Sequence, residues 1–234
     1  MSYELQPATE AGKKFVDAAT QLTEKLRSRA QSADQSGEMA VESFDDMRKA
    51  GICTAFVPEA CGGFGLTSIH DWITGMSRLG RGDGSAAIAV NMHLAVSRGM
   101  AAMWGGAKSA GKNDMVARME HQFAQMASGE MYICATATEP GTDNLHPYTE
   151  ATRTEDGWCI NGLKIFVTGS PIASHVAMNL RVQGKADDSD SISSVIMPMT
   201  TKGVEPQGDW QGWACAVQAA SPLYSTTCSY LQPW

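Results

Sequence analysis

Hydrophobic residues change their spacing at Met131, and no single kind of secondary structure accommodates both patterns. Before that point apolar side chains recur every three or four residues, the period of a helix with one buried face. Phe15, Ala18, Leu22 and Leu26 mark such a stripe over about 10–33, and Val41, Phe44 and Met47 mark a short second helix that Gly51 is placed to end. Ile69, Trp72, Ile73, Met76 and Leu79 lie on one side of a third helix starting at Thr67. The run 86–104 is apolar on most faces, which predicts a buried helix capped by Ser85, and 114–128 completes the helical set. Segment 57–65 holds too much Gly and Pro to be helical, and its glycines predict positive φ or close backbone approach.

After Met131 short apolar runs alternate with turn signals. Glu155, Asp156 and Gly157 precede the run 158–160, and Asn161-Gly162 separates that run from 164–168. Asn-Gly between apolar runs predicts a hairpin, because a type I′ turn needs φ > 0 at both central residues. Further strands are predicted at 175–182 and 191–199, with a polar linker over 184–190 between them. The expected fold class is α+β and multidomain: an all-helical bundle over 1–130, then a small antiparallel β-barrel over 131–212. Residues 210–234 contain no Asp, Glu, Lys, Arg or His, yet hold three of the six Trp and two of the six Cys. A surface element ordinarily carries charge on its solvent face, so this tail stands apart.

Composition excludes several classes. With 18 basic against 25 acidic residues the net charge is -7, which argues against nucleic acid as a partner. No apolar run reaches the ~18 residues of a membrane span, and residues 1–30 are too polar for a secretory signal. Six cysteines at 53, 61, 134, 159, 215 and 228 form no CxxC pair and show no metal-ligand spacing. They read as reduced thiols, so the expectation is a cytoplasmic protein without a bound metal.

Three motifs carry a resemblance to a known family. Val57-Pro58-Glu59 followed by Gly62-Gly63-Phe64-Gly65 is similar to a VPExxGGxG loop; Thr138-Glu139-Pro140-Gly141 matches a T/S-E-P-G signature; and 160–168, INGLKIFVT, resembles an INGxKxWIT segment. Their order resembles the acyl-CoA dehydrogenase flavoproteins over roughly residues 10–212. The resemblance implies FAD as cofactor, lying against two β segments. Thr138 would bond the pyrimidine side of the ring, Thr168 would sit at N5, and Phe166 takes the place of a Trp packed on the ring. Ala135, Ala137 and Val167 would give backbone and apolar contact. It also implies α,β-desaturation of an acyl-CoA thioester, with substrate near Asn91, Met92 and Thr142. Intact members form homo-oligomers and often pass electrons to an electron-transfer flavoprotein. His93 on a buried helix reads as a core residue, Cys134 as inert packing, and Glu139 as a residue that fixes its loop.

Two departures accompany the resemblance. The Gly-Ser-Asp element after the signature is compressed to Gly141-Thr142-Asp143-Asn144. The family's C-terminal helical bundle, which carries the catalytic glutamate, has no counterpart here, so no catalytic base is assigned and weak or absent FAD binding is expected. Reading the codons from about Gly212 one nucleotide out of phase permits LGMRGSGSQSVVFDDVFVPAAM, which resembles the family's ending to its middle domain. On that reading 213–234 is an out-of-frame tail without designed structure. A flavin-dependent monooxygenase of the same fold and a non-catalytic fragment are the alternative functions.

Overall fold

The computed structural model describes residues 4–155, 157–184 and 191–206 in full, and 220–229 as backbone. The chain divides into two compact units, the change falling between Tyr132 and Ile133.

The first unit is helical among its described residues: α1 (Glu10–Ser36), α2 (Val41–Lys49), α3 (Ile69–Gly82), α4 (Gly84–Ser109) and α5 (Asn113–Ser128). The α1 stripe of Phe15, Val16, Ala19, Leu22 and Leu26 is buried, and Gly37 ends the helix at φ 71°. Gly75 on α3 leaves the space that the Phe15 ring fills. At its start, α1 is tied to α3 through the buried Asp71 carboxylate. That group accepts bonds from the Ala8 amide (2.6 Å), the Thr9 amide (3.1 Å) and the Thr9 hydroxyl (2.6 Å). Burial pushes the Asp71 pKa up, but bonds from Thr9, Ala8 and Ser68 outweigh it and hold the carboxyl below its usual range.

Two helical expectations are corrected. Ile69 and Ile73 are exposed, while Asp71, Thr74, Gly75 and Arg78 share the buried face with Leu79. That face is polar because it bonds the N-terminal segment: Arg78 donates to the Leu5 carbonyl at 2.7 Å, besides the Asp71 bonds. The cap of α4 is Asp83, whose carboxylate accepts from the Ala86 amide at 3.0 Å; Ser85 already lies inside the first turn.

The glycine-rich loop behaves as its composition predicts, apart from a short 3₁₀ turn at Glu59–Cys61. Gly62 and Gly65 have φ of 88° and 66°. Gly63 has an ordinary φ, but a Cβ there would overlap the Val57 and Thr54 carbonyl oxygens, which are fixed by bonds to Gly65 and Phe64. Gly63→Ala is therefore expected to cost about 2–3 kcal/mol, because backbone must move to admit the methyl group. Urea unfolding followed by circular dichroism checks it.

The second unit contains β1 (Ile133–Thr136), β2 (Glu150–Thr154), β3 (Gly157–Thr168), β4 (His175–Val182), β5 (Ile192–Pro198), β6 (Val204–Pro206) and β7 (Ala220–Ser229). These form one sheet that is mixed rather than all antiparallel, since β1 and β2 pair parallel with β4. β5 flanks β4 on one side, and β7 then β6 follow β3 on the other. Between β4 and β3 lie two short strands placed end to end. β1 pairs with the first half of β4 and, through Ala135↔Thr168, with the end of β3. β2 pairs with the end of β4 and the start of β3. Both run parallel to β4, because each is antiparallel to β3 and β4 follows β3 in the reverse direction. Cys134, Ile160, Val167, Val176, Met178 and Met197 are among the buried core residues.

Asn161-Gly162 is not a hairpin turn. It lies inside β3, which pairs back on β2 from Thr154↔Gly157 to Glu150↔Asn161. Gly162 serves close approach instead: an added Cβ would overlap the Thr149 side chain and stand 2.7 Å from its Cα. Within the stretch expected to lack structure, 220–229 is a strand paired with β3 from Trp158↔Ser229 to Thr168↔Ala220. A long open edge supplies main-chain bonds to any segment of suitable β propensity, and charge pattern does not report that. The rest of 213–234, and 185–190 of the expected linker, lie outside the described residues.

Candidate functional site

The sheet is irregular where β1 ends. Phe166 has φ 54°, the only positive φ at a non-glycine residue among those described, and the β3–β7 register shifts between Lys164 and Val167. The cause lies on the β1 side. The Ile165 amide donates to the Thr138 carbonyl at 3.0 Å, and the Ile165 carbonyl accepts from the Thr136 hydroxyl at 2.6 Å. Ile165 is thereby tethered to the segment leaving β1, and Phe166 absorbs the resulting bulge. A left-handed Phe costs on the order of 1–3 kcal/mol, and such strain concentrates at binding sites. The ring is 49% exposed, an unusual setting for a large apolar side chain in a sheet.

The neighbouring positions are small or hydroxylic. Cys134 and Val167 point into the core, so Ala135 and Thr168, directly paired, share the opposite face. The Thr138 amide donates to the Thr136 hydroxyl at 3.2 Å, while its own hydroxyl makes no hydrogen bond among the described residues. The Thr168 hydroxyl has a long contact of 3.4 Å to the Phe166 carbonyl.

Beneath the bulge lies a buried ion pair. Lys164 Nζ donates to Glu139 Oε1 at 2.6 Å and to Asn179 Oδ1 at 2.7 Å. Glu139 also accepts the amides of Tyr148 (2.5 Å) and Thr149 (3.1 Å), and Asn179 donates to the Asn144 carbonyl at 2.7 Å. Burial raises the Glu139 pKa, but bonds from Lys164 and Thr149 and the Lys164 charge more than offset it, holding the carboxyl below its usual range. Burial lowers the Lys164 pKa against the opposing pull of Glu139.

A family model for the acyl-CoA dehydrogenase N-terminal domain matches residues 9–129, and one for the acyl-CoA dehydrogenase middle domain matches 133–227. The chain belongs to the acyl-CoA dehydrogenase family. It is similar to the amino sugar nitrososynthase DnmZ of Streptomyces peucetius, 29% identical over 208 residues, covering 88% of this chain and 49% of that protein. Dibenzothiophene monooxygenase of Rhodococcus erythropolis is 27% identical over 210 residues, covering 88% of this chain and 47% of its own. The solved KijD3 complex with FMN and dTDP-3-amino-2,3,6-trideoxy-4-keto-3-methyl-D-glucose shares the fold at a TM-score of 0.82 and 24% identity, covering 95% of this chain and 53% of KijD3. The chain thus spans about half the length of the curated relatives it matches.

The residues implied by the family resemblance divide by location. Ala135, Ala137, Thr138, Phe166 and Thr168 come from the two tethered segments, whereas the Val167 side chain is fully buried in the core and leaves only its backbone available. Thr142 follows in the loop after Glu139, where its hydroxyl is committed to the His146 carbonyl at 2.5 Å. Asn91 and Met92 are half-buried on α4, in the other unit. His93 is a core residue: its Nε2 stands 2.8 Å from the Cys53 carbonyl and its ring stacks on Tyr132 with centroids 4.8 Å apart. Cys134 is fully buried, and burial pushes its thiol up to about 12, consistent with inert packing. Sequence reasoning passed over Lys164 and Asn179. The available signal was a lysine between Leu163 and Ile165 in an apolar strand, which demands a buried partner.

Proposed function

We propose that this chain carries the ring-facing wall of a flavin-dependent oxygenase, acting on an amine nitrogen or a thioether sulfur. The observation that carries the reading is the bulge at Phe166, an exposed ring held in a strained conformation beside two alanines and two threonine hydroxyls. The set fits an isoalloxazine, which needs an apolar face to lie on and a few hydrogen-bonding groups at its edge. Phe166 would pack on the ring; Ala135, Ala137 and the Val167 backbone would line it; Thr138 and Thr168 would bond its pyrimidine edge and central nitrogen. A bound flavin supplies two-electron redox chemistry.

Oxygenation is preferred to the acyl-CoA desaturation implied by the family resemblance because the relatives at 29% and 27% identity are named for nitroso synthesis on amino sugars and for dibenzothiophene oxygenation. FMN is preferred to FAD on the KijD3 complex. An oxygenase delivers electrons to O₂, so an electron-transfer flavoprotein belongs to the desaturase reading. Titrating the chain with FMN and with FAD while following flavin fluorescence tests the wall. Saturable quenching that Phe166→Asp abolishes is expected, and no saturation with either flavin overturns the reading. A dTDP-linked amino sugar should perturb the bound flavin spectrum; perturbation by an acyl-CoA alone favours desaturation.

We further propose that 213–234 is read out of phase with the rest of the gene. The absence of charge from 210 onward supports it. In the shifted phase Thr226 and Thr227 become Asp-Asp only if the preceding codons end in G. The nucleotide sequence decides: any other base there removes the proposal.

A further inference from the structure

Resting on the flavin reading of the same wall, we infer that the buried Glu139–Lys164 pair is its positioning couple, substituting for missing sheet pairing between β1 and β2. Ladder pairing of the shared column stops at Thr136 and resumes at Glu150, opposite residues 162–167 of β3 and 179–180 of β4, with the Ile165–Thr138 and Arg181–Thr149 backbone bonds at the ends of the interruption. Both neighbours of the gap contribute a polar side chain to it, Lys164 from β3 and Asn179 from β4, and Glu139 enters from the broken column itself. The Lys164 and Glu139 side chains are 1% and 2% exposed.

The couple brackets the wall in sequence. Glu139 follows Thr138, and Lys164 precedes Ile165, the residue whose amide and carbonyl are bonded to 138 and 136. Apolar side chains would fill the same volume, but burial of apolar area is non-directional and would not fix how far the Thr138 segment advances along β3. Charge-assisted hydrogen bonds have that directionality. A buried ion pair adds little net stability over a well-packed apolar pair, so its value here is the placement of Thr138 against the Phe166 bulge.

The test compares the wild-type chain with the double variant Glu139→Gln, Lys164→Met, which removes both charges and keeps an acceptor for the Tyr148 and Thr149 amides. Expected are a melting temperature within a few degrees of wild type, exchange of the Ile165 amide about tenfold faster or more, and FMN bound about tenfold more weakly with blurred visible-band structure. Unchanged Ile165 exchange and FMN affinity at unchanged melting overturn the inference. So does acceleration spread equally over β5 amides with a matching fall in melting temperature, since that marks a structural role only. Where the double variant does not fold, Glu139→Gln alone carries the same readouts. A wild-type chain that binds no FMN removes the flavin reading, while Ile165 exchange still judges the couple.

Discussion

Lys164→Met alone is expected to destabilise the chain by about 3–5 kcal/mol, the cost of leaving a buried carboxylate without its counter-charge. In the wild type the Glu139 carboxylate is held ionised by Lys164 and by the Tyr148 and Thr149 amides. Removing Lys164 takes away two of the influences that lower the carboxyl pKa and leaves burial, the largest single one, pushing it up, so the folded-state pKa is expected to rise above the unfolded one. A carboxyl raised in the folded state favours folding at low pH, so the deficit should be largest near pH 8 and shrink as pH falls toward the carboxylate range. The wild type behaves oppositely: its Glu139 is depressed, contributes stability above the usual carboxylate pKa, and loses it as pH falls through the folded value. Chemical unfolding of both chains across pH measures the two slopes. Parallel curves would remove the uncompensated charge as the cause. The further substitution Glu139→Gln should recover most of the loss, which separates a charge defect from a packing defect.

Elements whose cause is local were legible in the sequence. The α1 stripe, the Gly51 stop and the left-handed glycines 62 and 65 follow from helix period and positive φ. β4 was legible because its residues alternate between half-buried and buried positions over 175–180. Errors arose where one local signal has two uses. Asn-Gly marks a tight turn, yet Gly162 also meets the need for a bare backbone where Thr149 crosses. An apolar helix side ordinarily faces the core, yet α3 turns Asp71 and Arg78 inward to bond the N-terminal segment. The sharing of one column by β1 and β2 is a long-range property, decided by what β4 and β3 leave unpaired, and no window of sequence contains it. At the candidate site, the family motifs supplied the threonines and Phe166, whereas the bulge that gives Phe166 its exposure depends on bonds from residues almost thirty positions earlier.

The helical unit should lose stability well before its carboxylates titrate, because of His93. The ring is fully buried between α4 and its neighbours, its Nε2 facing the Cys53 carbonyl and its plane against Tyr132. A carbonyl only accepts, so Nε2 carries a proton. Burial pushes its pKa down to about 4, the Cys53 bond opposing only in part. Below the unfolded value of about 6.5 the unfolded chain binds a proton that the folded chain refuses, so stability is complete above that pH and declines toward 4. At about 1.4 kcal/mol per unit, the loss across the window is about 3 kcal/mol. His175 in the sheet unit, also lowered by burial, adds in the same direction. His93→Gln keeps a donor toward the Cys53 carbonyl and cannot titrate; it should be less stable at pH 8 for lack of the stacked ring, yet show a shallower decline between pH 6.5 and 4.5. Equal slopes in the two chains would mean that His93 takes up its proton while folded, and the buried neutral ring would have to be abandoned.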